Sequence, residues 1–521
     1  MASQKLSFHS YIIAVLCFIL SFALPASGSL VDTSPNSSIQ QLIQSGASRS
    51  VGANLNNALL SEFYTQRHFM PAWQLRGDNA KVTVDHFIAF VRDTLEEHGL
   101  GDRGYALKAL QSNVDKATQD SLAKADIIAS DTVLRIAKSL SGQDPTPISK
   151  LHTWPLKRAR TDLAGDLNRA IGEGRVPEFL DGIAPNVKAY RKLKEALKLY
   201  REIATKGGWT RIQPGGVVQE GFQDDRVPLI HARLAQEGFM PFAQQVSTDN
   251  FYKPDLVAGM KEFQETHGLY ADGNIGPETF RAMNVPVSER IDQIRVNLAR
   301  IRQSPPDAWE GIVINIPAAQ LSYYRNGEAV YEAPVVVGRV DRPSPLVKSA
   351  IYEMIINPSW YVPSSIAEKD LMPKIEEDPE FLRKQGIHRN GGDSSESGFR
   401  QDPGPLNSLG RIKFNFANSF SVYLHGTPHQ ELFGKDDRTR SSGCIRLKDP
   451  AELALIFMKN NPEWTPDKLQ RRINSMKTQH VTPPEKTPIK LLYWSSIVDA
   501  KDRVAFFNDV YGLDAEWAKL L

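Results

Sequence analysis

The chain has 521 residues, 41% of them hydrophobic, with 62 Lys+Arg against 60 Asp+Glu and a formal net charge of +2. That length suits about two to four domains with real cores, and so small a net charge leaves no electrostatic footprint for nucleic acid. There are two cysteines, Cys17 and Cys444, so removal of an N-terminal export segment would leave Cys444 without an intramolecular disulfide partner.

The first residues read as an address. Lys5 and His9 precede the mostly apolar run Tyr11 to Leu24, and "PASGS" follows, where cleavage after Ala26 or Gly28 suits a signal peptidase. A bilayer anchor takes about 20 apolar residues, so residues 1–28 are expected to be a signal peptide, with an uncleaved inner-membrane anchor as the alternative. Either way the body is expected in the periplasm. In such an oxidising space a lone thiol implies an intermolecular bridge, a reactive group or a structural cysteine.

Residues 29–54, rich in Ser, Asn and Gln, are expected to form a mobile leader. Helical periodicity follows over 55–225, clearest in Tyr190, Leu193, Leu197, Tyr200 and Ile203, preceded by Pro185 and closed by Gly207 and Gly208. This is a helical scaffold domain, and its basic cluster from Lys188 to Lys198 reads as a solvated helix face. Residues 226–285 form a small three-helix module. "VPLIHARLAQEGF" and "DLVAGMKEFQETHGL" are amphipathic, while "YADGNIGPETF" turns at Asp272 and Gly273 and restarts a helix at Pro277. A linker helix over 286–310 carries Ile291, Ile294, Leu298 and Ile301, and Ser304, Pro305 and Pro306 end it.

From Gly311 the period changes to two. Ile312 to Ile316, Val335 to Val337, Ala350 to Ile356 and Phe420 to His425 read as strands, and Asn326-Gly327 supplies a type I′ hairpin turn. The chain is therefore multidomain α+β, with a mainly β domain, a sandwich or open barrel, over 311–490. An insertion at 364–400, helical and then a polar loop, is placed where a lid would lie. The segment 491–521 is expected to pack on the catalytic or the scaffold domain.

Cysteine chemistry has two stretches to draw on. "VYLHGTP" ends a strand at His425, and "RSSGCIRL" places Cys444 nineteen residues later (444 minus 425). A free thiol is only a few per cent ionised at neutral pH, and a neighbouring imidazole can take its proton during attack. Gly443 permits an unusual backbone angle, leaving the amides of Gly443 and Cys444 to hold an oxyanion, and the carbonyl of Gly426 can orient the imidazole. Other readings stay open: His425 as a polar strand end, a zinc site with His429 and His388, or Ser441 and Ser442 as nucleophiles without a Gly-x-Ser-x-Gly turn.

"LHGTP" followed by "SSGCIRL" resembles the active-site signature of the YkuD-type L,D-transpeptidases. "NIPAAQL", "VVVGRVDRPSPL", "INPSWYVP" and "DPGPLNSLGRIKFNF" extend the match. Phe263, Gln264, His267, Gly268, Leu269, Asp272, Gly273, Ile275, Gly276 and Thr279 resemble the signature of the peptidoglycan-binding type 1 domain. The order of the parts is similar to that of the large YcbB-like members. Many relatives have histidine where this chain has Ser442, but the family's base corresponds to His425.

The resemblance implies Cys444 as nucleophile, His425 as general base and the Gly426 carbonyl as its orienting acceptor. Tyr423, Ser442 and Gly443 then map near the oxyanion site, and Arg446 either positions substrate or braces the loop. It further implies peptidoglycan stem peptides as partners: a tetrapeptide donor loses D-Ala to a cysteinyl thioester, and a diaminopimelate acceptor resolves it to a 3-3 cross-link. The module at 226–285 would hold peptidoglycan, other cell-wall enzymes could be partners, and a carbapenem should acylate Cys444. No cofactor and no metal is implied, since thioester exchange needs no nucleotide. A Cys/His hydrolase, a transferase attaching or detaching a lipoprotein, and a non-catalytic wall-binding scaffold are the alternatives.

Overall fold

The computed structural model describes residues 35–102, 104–144, 154–241, 249–389, 398–499 and 501–521. The expected signal peptide, Cys17 and the start of the leader lie outside the described residues, as do residues 390–397 of the expected lid. No helix among the described residues is long and apolar enough to cross a membrane.

One unit comprises Met1–Asp144, Arg158–Tyr190 and Ile301–Gln303. Its central helix, Gln119–Leu140, starts at a capping box between Thr118 and Ser121 and buries Ile127, Ile128, Val133, Leu134 and Ile136. A helix buried on nearly every side forms where neighbours surround it. Here Asp126 organises them, its carboxylate accepting from the Tyr64 hydroxyl at 2.6 Å and from the Trp73 amide at 2.9 Å. The mobile leader expected over 29–54 is corrected, because Pro35–Gln44 and Ala47–Val51 are helices. Ile39 and Leu42, one turn apart, and Ala47 are buried, and the polar composition around them conceals that spacing.

The other unit comprises Pro145–Lys157, Arg191–Arg300 and Ser304–Leu521. Helices Val227–Gln236, Pro254–Thr266 and Pro277–Met283 each carry proline in the first turn. They share a core of Ile230, Leu234, Leu256, Met260, Phe263 and Phe280. Gln264 closes the turn of the module, accepting from the Gly273 amide at 2.8 Å and donating to the Asn274 carbonyl at 2.8 Å. Phe263, Gln264, His267 and Thr279 are all buried, so these signature residues build core and turn.

The linker helix expected over 286–310 is the helix Val287–Gln303, and it does more than link. Gln293 donates to the carbonyls of Ser495 and Phe507, both at 2.8 Å, and Arg300 pairs with Asp514 at 2.7 Å. Buried polar groups must find partners, and these are supplied by the C-terminal segment.

The strands are β1 Gly311–Asn315, β2 Gln320–Arg325, β3 Glu328–Gly338, β4 Val347–Ile356, β5 Trp360–Tyr361, β6 Ile387–Arg389, β7 Phe399–Gln401 and β8 Ile412–Phe416. They continue with β9 Leu424–His425, β10 Thr439–Ser441, β11 Ile445–Leu447, β12 Gln479–Val481, β13 Thr487–Leu492, β14 Ser496–Val498 and β15 Val504–Phe506. Positive φ at Asn326 and Gly327, 55° and 78°, makes the β2–β3 turn the expected type I′ hairpin.

The main sheet runs β10-β3-β11-β9-β8-β4-β13-β1-β2, and β3 also pairs β2. The path from β3 to β2 thus closes on itself, a mixed barrel that removes two free edges. Its core holds Ile312, Val335, Val337, Ile412, Phe414, Leu424, Ile445 and Leu447. The boundary expected at 490 cuts β13, and Trp494, Leu513 and Trp517 join the same core, so the C-terminal segment is part of the barrel unit. β5, β7 and β6 form a separate three-stranded sheet. With the short helices of the insertion it surrounds a second core of Trp360, Val362, Ala367, Leu371, Ile387, Phe399 and Leu409.

Candidate active site

Strand alternation places the chemistry. Ile412, Phe414, Leu424, Ile445 and Leu447 point into the barrel core, so Lys413, His425 and Arg446 take the opposite face. In register, Lys413 lies beside His425 across β8–β9, and His425 lies beside Arg446 across the parallel β9–β11 pair. The three basic side chains therefore form one row across three strands. Cys444 stands just before β11, next to that row and opposite Tyr423, whose carbonyl accepts from the Ile445 amide at 3.1 Å.

His425 is buried, and its Nδ1–H donates to the Gly426 carbonyl at 2.6 Å. Gly426 is itself fixed by donation from its amide to the Ile412 carbonyl at 2.9 Å. The chain at Gly410 passes so close that a Cβ there would lie 2.5 Å from the Gly426 carbonyl carbon. Burial first, and then the charge of Arg446, lowers the His425 pKa to about 3. The ring is neutral at working pH, with its lone pair on Nε2.

Cys444 is half-buried, and burial pushes its thiol above the ordinary value. The backbone N–H and phenol of Tyr423, with the charges of Lys413 and Arg446, oppose that rise without overcoming it. Burial also raises the Tyr423 phenol, against which the Trp360 side chain acts as donor. The Tyr423 ring stands edge-on to His425 at 5.6 Å, and Lys413 Nζ lies 3.8 Å from its centre. Thiol and imidazole share no hydrogen bond here. Such contacts commonly tighten only when substrate is bound.

The loop before the thiol corrects one expectation. The Gly443 amide donates to Ser441 Oγ at 3.1 Å and the Gly443 carbonyl accepts from Ser344 at 2.7 Å, so this amide is not a free oxyanion donor. The Cys444 amide makes no hydrogen bond among the described residues, and it remains the candidate. Ser442, in the place of the family histidine, accepts from Arg342 at 3.1 Å, and Arg342 forks onto Asp370 of the insertion at 2.5 and 3.1 Å. Arg446 makes no hydrogen bond or ion pair among the described residues, so its contacts lend no support to loop bracing. His388 pairs with Asp402 at 2.7 Å and His429 with Glu431 at 3.3 Å, and no group of three His, Cys, Asp or Glu side chains among the described residues is placed to hold a metal ion.

Gly443 has φ 107°, a region that side chains disfavour. Gly443→Ala is expected to cost about 1–3 kcal/mol of stability, read by denaturant unfolding, because nothing lies nearer than 3.6 Å to the added Cβ and backbone strain alone remains.

Sequence reasoning missed Lys413, Trp360, Arg342 and Asp370. For Lys413 a signal existed: in "RIKFNF" the apolar Ile412, Phe414 and Phe416 alternate with Lys413 and Asn415, which sets the lysine on the non-core face.

Comparison with known proteins places these parts. Residues 310–462 match the YkuD family, described as the L,D-transpeptidase catalytic domain. Residues 58–197 match a scaffold domain, and 223–283 a "Putative peptidoglycan binding domain". A Haemophilus influenzae protein named "Putative L,D-transpeptidase" is 31% identical over 253 residues, 45% of this chain and 51% of that protein. The chain thus spans about half the length of that curated relative. Among solved structures, an L,D-transpeptidase from Xylanimonas cellulosilytica is 16% identical with TM-score 0.19, covering 54% of this chain and 100% of its own. One from Stackebrandtia nassauensis is 13% identical with TM-score 0.22, covering 54% and 97%. Cys444 and His425 thus lie within the part of the chain that the L,D-transpeptidase catalytic domain matches, and the scaffold and peptidoglycan-binding domains match the parts before it.

Proposed function

We propose that this chain is a periplasmic L,D-transpeptidase that joins peptidoglycan stems by 3-3 cross-links between diaminopimelate residues. The observation that carries the reading is a neutral imidazole, fixed through Nδ1 by the Gly426 carbonyl, on the strand beside the half-buried Cys444.

The Cys444 proton passes to His425 Nε2 as sulfur bonds to the carbonyl carbon of the donor's diaminopimelate. The oxyanion that forms is held by the Cys444 amide, with the Tyr423 phenol as second donor. The C–N bond to the terminal D-Ala breaks, and the departing amine takes the proton from His425. A thioester remains. The side-chain amine of an acceptor stem, giving its proton to His425, then bonds to the thioester carbon; the C–S bond breaks and the proton returns to sulfur. Each amide made is driven by one broken. The Ser364 to Arg400 insertion favours this amine over water, and the module at 226–285 keeps the enzyme on its polymer.

Incubating the full chain with tetrapeptide stems and analysing the products by mass tests the proposal. A dimer lighter by one D-Ala than two stems supports it. Tripeptide without dimer would replace transfer by hydrolysis, and unchanged stems would remove the reading.

A further inference from the structure

The row across β8, β9 and β11 contains two cations that no carboxylate pairs with among the described residues. Lys413 and Arg446 flank His425, one on each side in register. Neither makes a hydrogen bond or ion pair among the described residues. Glu353, whose charge reaches Lys413, is already engaged, accepting from Asn415 at 2.6 Å and contacting His480 at 2.8 Å, and Glu431, whose charge reaches Arg446, lies 3.3 Å from His429. Lys413 instead lies 3.8 Å from the centre of the Tyr423 ring, a contact that uses the positive charge but none of its three N–H donors.

Burial of both groups disfavours their charged forms, and an unpaired, partly desolvated cation is costly. Two of them beside one nucleophile form a site suited to anions. The acyl donor is the molecule that enters there.

We infer that Lys413 and Arg446 are carboxylate receptors on either side of His425, selecting donors that carry a free carboxylate on each side of the scissile amide and discriminating against amidated ones. This rests on the reading that an acyl donor is attacked by Cys444. It adds Lys413 as a residue that sets specificity. A tetrapeptide stem offers such carboxylates: the terminal one on the leaving residue, and those of the diaminopimelate and glutamate on the retained part.

The test uses two thiol alkylators that differ in charge. Iodoacetate and iodoacetamide are applied to the full chain and the rate of Cys444 labelling is read by mass. Any change in thiol ionisation affects both reagents and cancels in the ratio of their rates. Lys413→Met is expected to lower the iodoacetate to iodoacetamide ratio about five-fold, the effect of one charge in a partly screened site. Lys413→Arg should restore it, and Arg446→Met should lower it likewise. A packing role for Lys413 would leave the ratio unmoved. An unchanged ratio in both Met variants, with Cys444 still labelled, overturns the inference whatever the cross-linking assay gives. If the ratio falls but wild type makes no cross-links, the receptors stand and the transpeptidase reading fails. A second arm compares donors: KM for a stem amidated at diaminopimelate should exceed that for the free acid in wild type, and Lys413→Met and Arg446→Met together should erase the difference. Equal KM values in wild type would contradict the stated selectivity.

Discussion

Replacing His425 with alanine is expected to slow acylation of Cys444 by about 10²–10⁴-fold, the usual contribution of a positioned base. The electrostatics say how. Burial and the neighbouring Arg446 hold His425 near pKa 3, and burial holds the Cys444 thiol above its ordinary value. A resting thiolate–imidazolium pair is therefore disfavoured, and the proton moves during attack. Two pH signatures follow. A depressed His425 pKa keeps the imidazole in its basic form as pH falls, so the wild-type rate should lack an acid limb at the ordinary histidine value of 6.5 and lose its base only near 3. In His425→Ala the residual rate should track thiolate and climb steeply with pH through the alkaline range. Carbapenem acylation rates from about pH 5 to about pH 9 check both. A wild-type rate falling tenfold per unit just below 6.5 would mean that the imidazole titrates normally and is not held neutral.

Removing the sulfur should have the larger effect. Cys444→Ala is expected to abolish cross-linking by at least ~10⁴-fold, because no other step supplies the acyl-enzyme. The thiol packs only at the edge of the barrel core, so unfolding should be little changed and peptidoglycan binding by the module retained. A carbapenem should add one adduct mass to the wild-type chain and none to the variant. Full cross-linking by Cys444→Ala would transfer the chemistry to another nucleophile.

Much of this site was legible because it is local. His425 and Gly426 are adjacent, so the Nδ1 contact needs only one strand end, and Gly443 and Cys444 lie within one short motif. Most of what the spacing could not show depended on distant partners. Lys413 joins the row through the β8–β9 register, which no spacing in the sequence reveals. Ser442 was expected near the oxyanion site, and its contact with Arg342, which forks onto Asp370, joins residues far apart in the chain. The Gly443 amide was misjudged for a local reason: Ser441 Oγ, two residues back, accepts from it.

The same division holds for the fold. Strand periodicity and the Asn326-Gly327 turn were readable, whereas closure of the barrel required β3 to pair with β2 as well as β11. Composition misled at the leader, where Ile39 and Leu42 have buried places that their polar neighbours conceal. The helix Val287–Gln303 read as a linker from its apolar spacing alone, whereas its polar Gln293 and Arg300 bond to the C-terminal segment.

The most direct measurement is the mass of the full chain trapped with a tetrapeptide donor in the absence of acceptor, followed by mapping of the modified peptide. The account predicts an added mass equal to the stem less D-Ala, carried by the peptide containing Cys444 and released by hydroxylamine. An acyl group on any other residue, or cross-links formed with no acyl-enzyme on Cys444, would contradict it.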